Sequence, residues 1–359
     1  MRIFSELCVI HPNNTENVYP MKRFILSLLL LLPFLPLTAA DDVTVLQWNV
    51  WQEGTSVKGG YDAIVNEIVR LQPDFVTLSE VRNYHGTNFT ARLTASLRER
   101  GVDYYSFYTY DTGLLSRHPI TDSLTVFPCR DDHGSIYRLL CTARGRKYAV
   151  YTAHLDYLND TYYEVRGYDG NNWCPMAPLT DVAEILRRNA LSKREEATRF
   201  FLAQAEKDAD EGYRIILGGD FNEPSYLDWT ERTRYMYDHH GTVVPWPVSK
   251  MLAEAGFTDA YRAFWPNELT HPGFTFPADN PDVAPSRLSW TPLGDERDRI
   301  DYIHFRGCGM TVVDARIFGP EGSIAYGRRR PNPTHEEFIK PLGVWPTDHK
   351  GVWVKLRVE

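Results

Sequence analysis

Cysteine is scarce in this sequence, with five among 359 residues, and no two of them have the C-x-x-C spacing of a zinc site. Positive charge is not in excess either, since 39 Lys and Arg stand against 47 Asp and Glu. This balance argues against a partner bound mainly through its phosphate backbone, although a bound divalent cation would reverse the field locally. The hydrophobic share of 43% and the charged share of 24% exclude a disordered chain and a multi-span membrane protein.

The first 40 residues have the layout of a secretory signal peptide. A basic segment at 21–23 precedes an almost wholly apolar run at 24–37, and small residues follow at 38–40. We therefore expect cleavage after about residue 40, with Met21 as the initiator and the residues before it as an extension. The apolar run is shorter than the ~20 residues of a membrane span, so a retained anchor is only the alternative. The prediction is a secreted or periplasmic protein without a stable membrane anchor.

Residues 41–359 contain neither a repeat nor a low-complexity linker, which predicts a single domain. An even number of cysteines in an exported protein permits disulfides. Cys129 and Cys141 flank a predicted hairpin and would be the first pair to expect. Free thiols are the open alternative for all four cysteines of this region, which are Cys129, Cys141, Cys174 and Cys308.

Short apolar runs alternate with helical patterns along this region. Strands are predicted at 43–50, 75–78, 124–129, 136–143, 147–153, 215–217, 300–305 and 352–358. Helical spacing covers 61–71, 89–100 and 192–209. The last of these helices begins with Ser192 and Glu195, which predicts a capping box. The mixture predicts an α+β fold, with two sheets packed face to face and helices outside.

Two stretches, 157–190 and 266–298, are much longer than ordinary loops of ~4–6 residues. Both are rich in aromatic and acidic residues. Trp173 and Trp290 indicate packed structure in them rather than disordered linkers. Loops of this length often carry function, so we expect them to shape a binding site.

Carboxylate, amide and imidazole side chains recur at the ends of the apolar runs. They are Asn49, Glu80, His154, Asp220, Asn222, Asp301, Asp348 and His349. Each alone has an ordinary explanation as a turn, surface or core residue. Together, at strand ends that converge over a sandwich, they have the chemistry for a hard cation and for hydrolysis of a phosphoester.

Short blocks in a fixed order carry a family resemblance. They are Gln47-Trp48-Asn49, Leu78-Ser79-Glu80-Val81-Arg82, Gly113-Leu114-Leu115-Ser116-Arg117, Ala153-His154-Leu155-Asp156, Gly218-Gly219-Asp220-Phe221-Asn222, Arg299-Ile300-Asp301-Tyr302-Ile303 and Thr347-Asp348-His349. In this order the chain resembles the endonuclease/exonuclease/phosphatase superfamily over about 43–358. The resemblance implies a DNase I-like, four-layered α/β sandwich with two mixed sheets. It also implies a metal-dependent phosphoric ester hydrolase.

The resemblance also implies a metal site and a water-activating group. Glu80 would be the principal Mg²⁺ ligand, with Asn49 and Asp348 completing the site and Mn²⁺ as the alternative ion. Asp220 would position or deprotonate the attacking water, and Asn222 would orient that water.

Two histidines are implied as hydrogen-bond donors to the phosphate. His349 would be held by Asp301, whereas the carboxylate partner of His154 stays open between Asp111 and Asp156. The implied mechanism is in-line attack of water on phosphorus without a covalent enzyme intermediate.

The alcohol part of the substrate is not determined by these residues. Aromatic residues interspersed with acids suit a compact polar ring, so we expect a monomeric enzyme that hydrolyses small or head-group phosphoesters. A secreted nuclease is the alternative, followed by a sphingomyelinase-like lipid phosphodiesterase or an inactive binding protein. The candidates for binding the alcohol group are Arg166, Tyr168, Trp173, Trp229 and Trp290.

Overall fold

Two mixed β-sheets make up the centre of the structure. This computed structural model describes residues 41–334 and 336–359, and for Asp41 it describes the backbone alone. The predicted signal peptide lies outside the described residues. The seven-stranded sheet has the order β14 (Phe338–Ile339), β11 (Met310–Phe318), β15 (Gly351–Val358), β1 (Asp41–Asn49), β2 (Phe75–Val81), β4 (Asp111–Ser116) and β3 (Tyr105–Ser106). The six-stranded sheet has the order β5 (Ile120–Phe127), β6 (Gly134–Ala143), β7 (Arg146–Leu155), β8 (Arg214–Asp220), β10 (Asp301–Arg306) and β9 (Thr258–Asp259). A small ribbon joins β12 (Ser323–Ala325) to β13 (Arg328–Arg330).

Seven α-helices connect these strands in the described chain. They are α1 (Gly60–Leu71), α2 (Phe89–Glu99), α3 (Thr161–Val165), α4 (Val182–Asn189), α5 (Arg194–Asp210), α6 (Pro247–Glu254) and α7 (Ala260–Phe264). Single 3₁₀ turns occur at Gln52–Gly54, Tyr84–Gly86 and Pro285–Arg287. The strands and helices predicted from periodicity are confirmed, with boundaries that shift by a few residues. None of the described helices has the length and apolar character needed to cross a membrane.

The layers follow from the alternation of side chains along each strand. Val43 and Val45 of β1 belong to a core that also contains Val150 of β7 and Ile216 of β8, so this core lies between the sheets. Trp48, on the opposite face of β1, packs in a second core with residues of α1 and α2. A third core joins the six-stranded sheet to α5 and α6. Because both faces of the central strands are covered, apolar residues occupy both faces of these strands. The predicted four-layered α+β sandwich is confirmed.

The predicted capping box at the start of α5 was wrong. The helix begins at Arg194, and the residue before it, Lys193, has no side-chain cap. Its backbone N–H donates instead to Oδ2 of Asp156 at 2.8 Å. Oγ of Ser192 accepts from the N–H of Arg194 at 3.4 Å, rather than from the N–H of Glu195 that a capping box requires.

The predicted cysteine pair was also wrong, because all four described cysteines are free thiols. Cys141 lies opposite Ile120 at one end of the β5–β6 ladder. Cys129 follows Phe127, which pairs with Ile136 near the other end of the ladder. The two thiols thus flank the hairpin in sequence but lie at opposite ends of it in space, and a disulfide requires Cα atoms within about 7 Å.

Candidate active site

Three neighbouring strands of the six-stranded sheet place catalytic candidates in one row. His154 of β7 pairs with Asp220 of β8, and Asp220 pairs with Asp301 of β10. Residues opposite each other on adjacent strands point to the same face of a sheet. The register therefore brings an imidazole and two carboxylates together, and all three residues are buried.

Two glycines allow close packing next to this row, one against the other sheet and one against the neighbouring strand β7. A Cβ atom on Gly218 would lie 2.2 Å from Oγ1 of Thr77, which belongs to β2 of the opposite sheet. A Cβ atom on Gly219 would lie 2.5 Å from the carbonyl oxygen of Ala153 on β7. Real Cβ atoms do not approach other atoms so closely. Packing between the sheets thus requires Gly218, and packing against β7 within the six-stranded sheet requires Gly219.

The seven-stranded sheet contributes Asn49 and Glu80. Nδ2 of Asn49 donates to Oε1 of Glu80 at 3.1 Å and to Oδ2 of Asp220 at 2.9 Å, which connects the two sheets at the site. Glu80 has a left-handed φ of 64°, at the point where the β2–β4 register is irregular. Such a backbone is rare for a residue other than glycine, and bulges of this kind often redirect a side chain next to an active site.

Gln52 is a site residue that sequence reasoning missed. Its backbone N–H and its Nε2 donate to Oε2 of Glu80 at 2.9 and 3.0 Å. The preceding Trp51 donates its N–H to Oδ1 of Asn49 at 2.9 Å. Both residues have positive φ values, 39° for Trp51 and 59° for Gln52. The unusual turn after β1 therefore depends on contacts that no sequence pattern reports.

His349 is held by Asp301, as predicted. Its Nδ1 lies 2.9 Å from Oδ2 of Asp301, and its Nε2 lies 3.8 Å from Oδ2 of Asp220. Burial by itself would lower the pKa of His349, but the two carboxylates raise it to about 10. The two carboxylates thus favour the charged ring, in which Nε2–H is a donor.

The open choice for the partner of His154 is decided by the structure in favour of Asp111. Both carboxylate oxygens of Asp111 lie 3.0 Å from Nδ1 of His154. Asp156 contacts Nδ1 of His133 instead, at 3.0 Å. Burial opposes the charged ring of His154, but Asp111 and Asp220 raise its pKa to about 9. Arg82, not among the predicted site residues, contacts Asp111 at 3.1 Å.

Asp220 lies between the two imidazoles. Its Oδ2 is 4.0 Å from Nε2 of His154 and 3.8 Å from Nε2 of His349. Burial, assisted by the nearby Asp301, raises the pKa of Asp220 to about 6 despite the two histidines. Asn222 donates its N–H to Oδ1 of Asp220 at 3.0 Å, and its Nδ2 lies 3.2 Å from Nε2 of His154. A carboxylate with this pKa is suited to accept a proton near neutral pH.

The predicted metal ligands are consistent with Mg²⁺ in their chemistry. Glu80 and Asp348 line the same cavity, whereas Oδ1 of Asn49, the third predicted ligand, accepts from the N–H of Trp51. Burial raises the pKa of Asp348 to about 7, and the negative Glu80 adds to this effect. A divalent cation would relieve the repulsion between these carboxylates. Mg²⁺ takes one or two carboxylates and keeps several waters, so this all-oxygen set suits it.

A second grouping also has the spacing of a metal site. One potential ligand atom from each of Asp220, Asp301 and His349 lies within 4.8 Å of the others. However, Nδ1 of His349 and Oδ2 of Asp301 are already hydrogen-bonded to each other. We therefore assign this grouping to orientation of the imidazole rather than to the ion.

The cavity over these groups has a volume of about 320 Å³. Two of the five predicted substrate-binding residues, Trp173 and Trp290, line it together with Asp160. Catalytic candidates, together with Trp51 and Gln52 of the turn after β1, also line it.

The other three predicted substrate-binding residues require a correction, because they are buried away from the cavity. Nε of Arg166 donates to the carbonyl oxygen of Asp295 at 2.7 Å, and its Nη1 donates to Asp298. Nε1 of Trp229 donates to the same Asp298 carboxylate. The hydroxyl of Tyr168 accepts from the N–H of Leu293 at 3.0 Å. These side chains anchor the long segments, because buried polar groups need hydrogen-bond partners.

Comparisons with known proteins agree with this geometry. Residues 46–349 match the model of the Endonuclease/Exonuclease/phosphatase family. "Uncharacterized protein F14F9.5" of Caenorhabditis elegans is 27% identical over 281 residues, which cover 75% of this chain and 80% of that protein. The crystal structure of D. rerio TDP2 complexed with a single-strand DNA product aligns with a TM-score of 0.50 and 18% identity, over 88% of this chain and 99% of that one. At this identity the structural likeness concerns the fold alone.

Proposed function

The chain belongs to the endonuclease/exonuclease/phosphatase family, and from this premise we propose that it is an exported, Mg²⁺-dependent hydrolase of small or head-group phosphoesters. Family membership makes the chain a phosphoric ester hydrolase. The identity of the metal, the route of export and the class of substrate are the proposed parts.

The observation that carries the proposal is the position of Asp220 between His154 and His349. Each imidazole has its own carboxylate on Nδ1, so each directs Nε2 toward Oδ2 of Asp220, at 4.0 and 3.8 Å. A phosphate placed over Asp220 would accept hydrogen bonds from both rings. Donors fixed in advance around a developing negative charge are the largest single contribution in many enzymes.

The proposed mechanism is in-line attack of water on phosphorus. Asp220 accepts a proton from the water, which the Asn222 amide orients. His349 donates from Nε2 to a non-bridging oxygen, and His154 gives its Nε2 proton to the leaving oxygen. Mg²⁺ held by Asn49, Glu80 and Asp348 would neutralise phosphate charge and polarise the P–O bond.

The preference for small substrates is supported by the size and charge of the cavity. Its volume of about 320 Å³ suits a phosphate and one compact group. Among the residues that line it, Arg82 is the only Lys or Arg, and Arg82 already contacts Asp111 and Asp132. A nucleic-acid strand gains most of its affinity from such cations, so the cavity offers it little.

Export is proposed from sequence alone. Residues 21–40 combine a basic start, an apolar run and small residues at the expected cleavage position. N-terminal sequencing of the protein recovered from the culture medium or periplasm would test it. A mature protein that begins near Asp41 supports export, whereas an intact leader on cytosolic protein would contradict it.

The enzymatic proposal is tested with a substrate panel. The panel contains plasmid DNA, RNA, a chromogenic phosphodiester and its monoester, sphingomyelin and inositol phosphates, each with Mg²⁺ or with EDTA. We expect EDTA-sensitive hydrolysis of the small phosphoesters, which Asp220→Asn abolishes while the thermal unfolding curve is kept. Faster cleavage of DNA or RNA would overturn the substrate preference, and near-normal activity of Asp220→Asn would overturn the assignment of the base.

A further inference from the structure

Two tryptophans from different long segments form one wall of the cavity. Trp173 lies in 157–190 and Trp290 in 266–298, and their ring centroids are 4.7 Å apart with planes tilted by 31°. Both line the cavity, and Trp290 is 52% exposed. A large aromatic face that is left partly uncovered at the mouth of a cavity is suited to pack against a flat apolar face of a ligand.

The position of this wall is fixed by buried contacts between the two segments. Arg166 of the first segment donates to the carbonyl oxygen of Asp295 and to the carboxylate of Asp298, both at 2.7 Å. Tyr168 accepts from the N–H of Leu293, three residues after Trp290. The two indoles are thereby held before any ligand arrives, which lowers the ordering cost of binding.

Asp160 adds a hydrogen-bond acceptor to the same cavity. The residue is 2% exposed, and its Oδ1 accepts from Nη1 of Arg194 at 2.6 Å. Its Oδ2 has no hydrogen-bond partner in the part of the chain that the structure describes, while Asp160 lines the cavity. This oxygen belongs to a residue that lines the cavity, so it is available to a hydrogen-bonding group of a ligand.

We propose that Asp160, Trp173 and Trp290 select the alcohol group of the substrate, and that this group is a hydroxylated ring, namely a sugar or a cyclic polyol. The inference rests on the proposed phosphoester hydrolase. A hydroxylated ring has C–H faces that pack on the indoles and O–H groups that donate to Asp160. Asp160 already has a cationic partner in Arg194, which favours a neutral hydroxyl over an ammonium group as the ligand's donor.

The test compares kcat/KM for ring phosphates with that for an acyclic phosphate. Glucose 1-phosphate and inositol monophosphate are the ring probes, ethyl phosphate is the acyclic reference, and phosphocholine is the cationic alternative. We expect the ratio of ring to ethyl phosphate to fall about tenfold in Trp290→Ala and in Asp160→Asn, since the loss of one good contact typically has this size. Trp290→Phe, which keeps an aromatic face, should keep the ratio within about threefold.

Tyr235→Ala is the matched control, because Tyr235 is an exposed aromatic residue that does not line the cavity. An unchanged ratio in both Trp290→Ala and Asp160→Asn would overturn the inference, and so would a preference for phosphocholine over both ring phosphates. The two ring probes also separate sugars from cyclic polyols.

Failure of the proposed function has a different signature. If no phosphoester is hydrolysed with Mg²⁺, that proposal fails, and the subsite is then judged by calorimetric binding of the two ring phosphates. Binding that weakens about tenfold in Trp290→Ala supports the subsite, whereas equal binding or none contradicts it. Because Asp160 is buried, a thermal unfolding curve is measured for each variant. If Asp160→Asn does not fold, the inference is judged on Trp290→Ala alone, since Trp290 is exposed.

Discussion

Asp111 and His154 form a buried pair in which both carboxylate oxygens lie 3.0 Å from Nδ1 of the ring. Asp111 is the first residue of β4 in one sheet, and His154 is near the end of β7 in the other. The pair fixes the tautomer of the imidazole and directs its Nε2 into the cavity. Arg82 contacts the same carboxylate, so the pair is part of a larger charged network.

Asp111→Asn should reduce kcat by about 100-fold or more while the protein stays folded, because general acid catalysis contributes about 10²–10⁴. The carboxylate raises the pKa of His154 to about 9, and its removal lets burial lower that pKa again. At neutral pH the ring would then lose the proton that it gives to the leaving group. The measurement is kcat between pH 5 and 9 on a chromogenic phosphoester. Asp156→Asn is the comparison, and an equal or larger loss of kcat there would contradict the assignment.

Glu80→Gln should weaken binding of Mn²⁺, used as a spectroscopic probe for Mg²⁺, by at least about tenfold. The amide keeps the shape of the side chain but removes the negative charge that a divalent cation requires. Binding is followed by electron paramagnetic resonance and needs no substrate. Asp132→Asn is the control, because Asp132 lines the same cavity but pairs with Arg82. Equal affinity in Glu80→Gln and the parent protein would refute Glu80 as the principal ligand.

Gly218→Ala should destabilise the protein by about 2–3 kcal/mol, within the range for overpacked cores. The new methyl group would lie 2.2 Å from Oγ1 of Thr77 and force the two sheets apart. Urea unfolding gives the free energy directly. Gly343→Ala is the control, since a Cβ atom there meets nothing within 4 Å. Adding Thr77→Ala should restore part of the loss, and a purely additive double variant would show that the overlap is not the cause.

His304 should make folding stability depend on pH below about 6.5. Burial lowers the pKa of His304 to about 4, whereas an unfolded histidine has a pKa near 6.5. Because the unfolded state binds the proton more strongly, this contribution to stability is complete above pH 6.5 and is lost as the pH falls toward 4. Relative to His304→Phe, the parent protein should lose about 2–3 kcal/mol between pH 7 and pH 4, at 1.36 kcal/mol per pKa unit.

Urea unfolding at several pH values measures this difference. His240→Phe is the control, because it removes a histidine from the surface rather than from the core. A difference between the parent protein and His304→Phe that stays constant from pH 7 to pH 4 would contradict the lowered pKa.

Much of the fold could be predicted because local patterns reflect it directly. The strand at 43–50 is apolar on both faces, which identifies it as central before any partner is known. The pairing of Cys129 with Cys141 and the Ser192 capping box could not be predicted in the same way. A disulfide and a helix cap both depend on which side chains come close together in the folded protein. At the start of α5, for example, it is Asp156 that accepts from the N–H of Lys193.

The residues of the candidate site also fall into two groups, those that the sequence could identify and those that it could not. Sequence order was enough to nominate Glu80, Asp220 and His349, since each follows or precedes a recognisable run. The roles of Arg166, Tyr168 and Trp229 were wrong because aromatic and cationic residues in a long loop suit either a ligand or an internal anchor. Only burial and hydrogen bonding distinguish these two uses, and here all three serve as anchors.

The sequence by itself determined the layers of the sandwich, the family and the set of candidate residues for the active site. These depend on local periodicity and on short motifs, which are written along the chain. The tertiary structure decided that Asp111 rather than Asp156 holds His154, that Gln52 and Asn49 contact Glu80, and that Trp173 and Trp290 meet in one wall of the cavity. These contacts join residues far apart in sequence, and their geometry follows from strand register and from packing between the sheets, which no local pattern specifies.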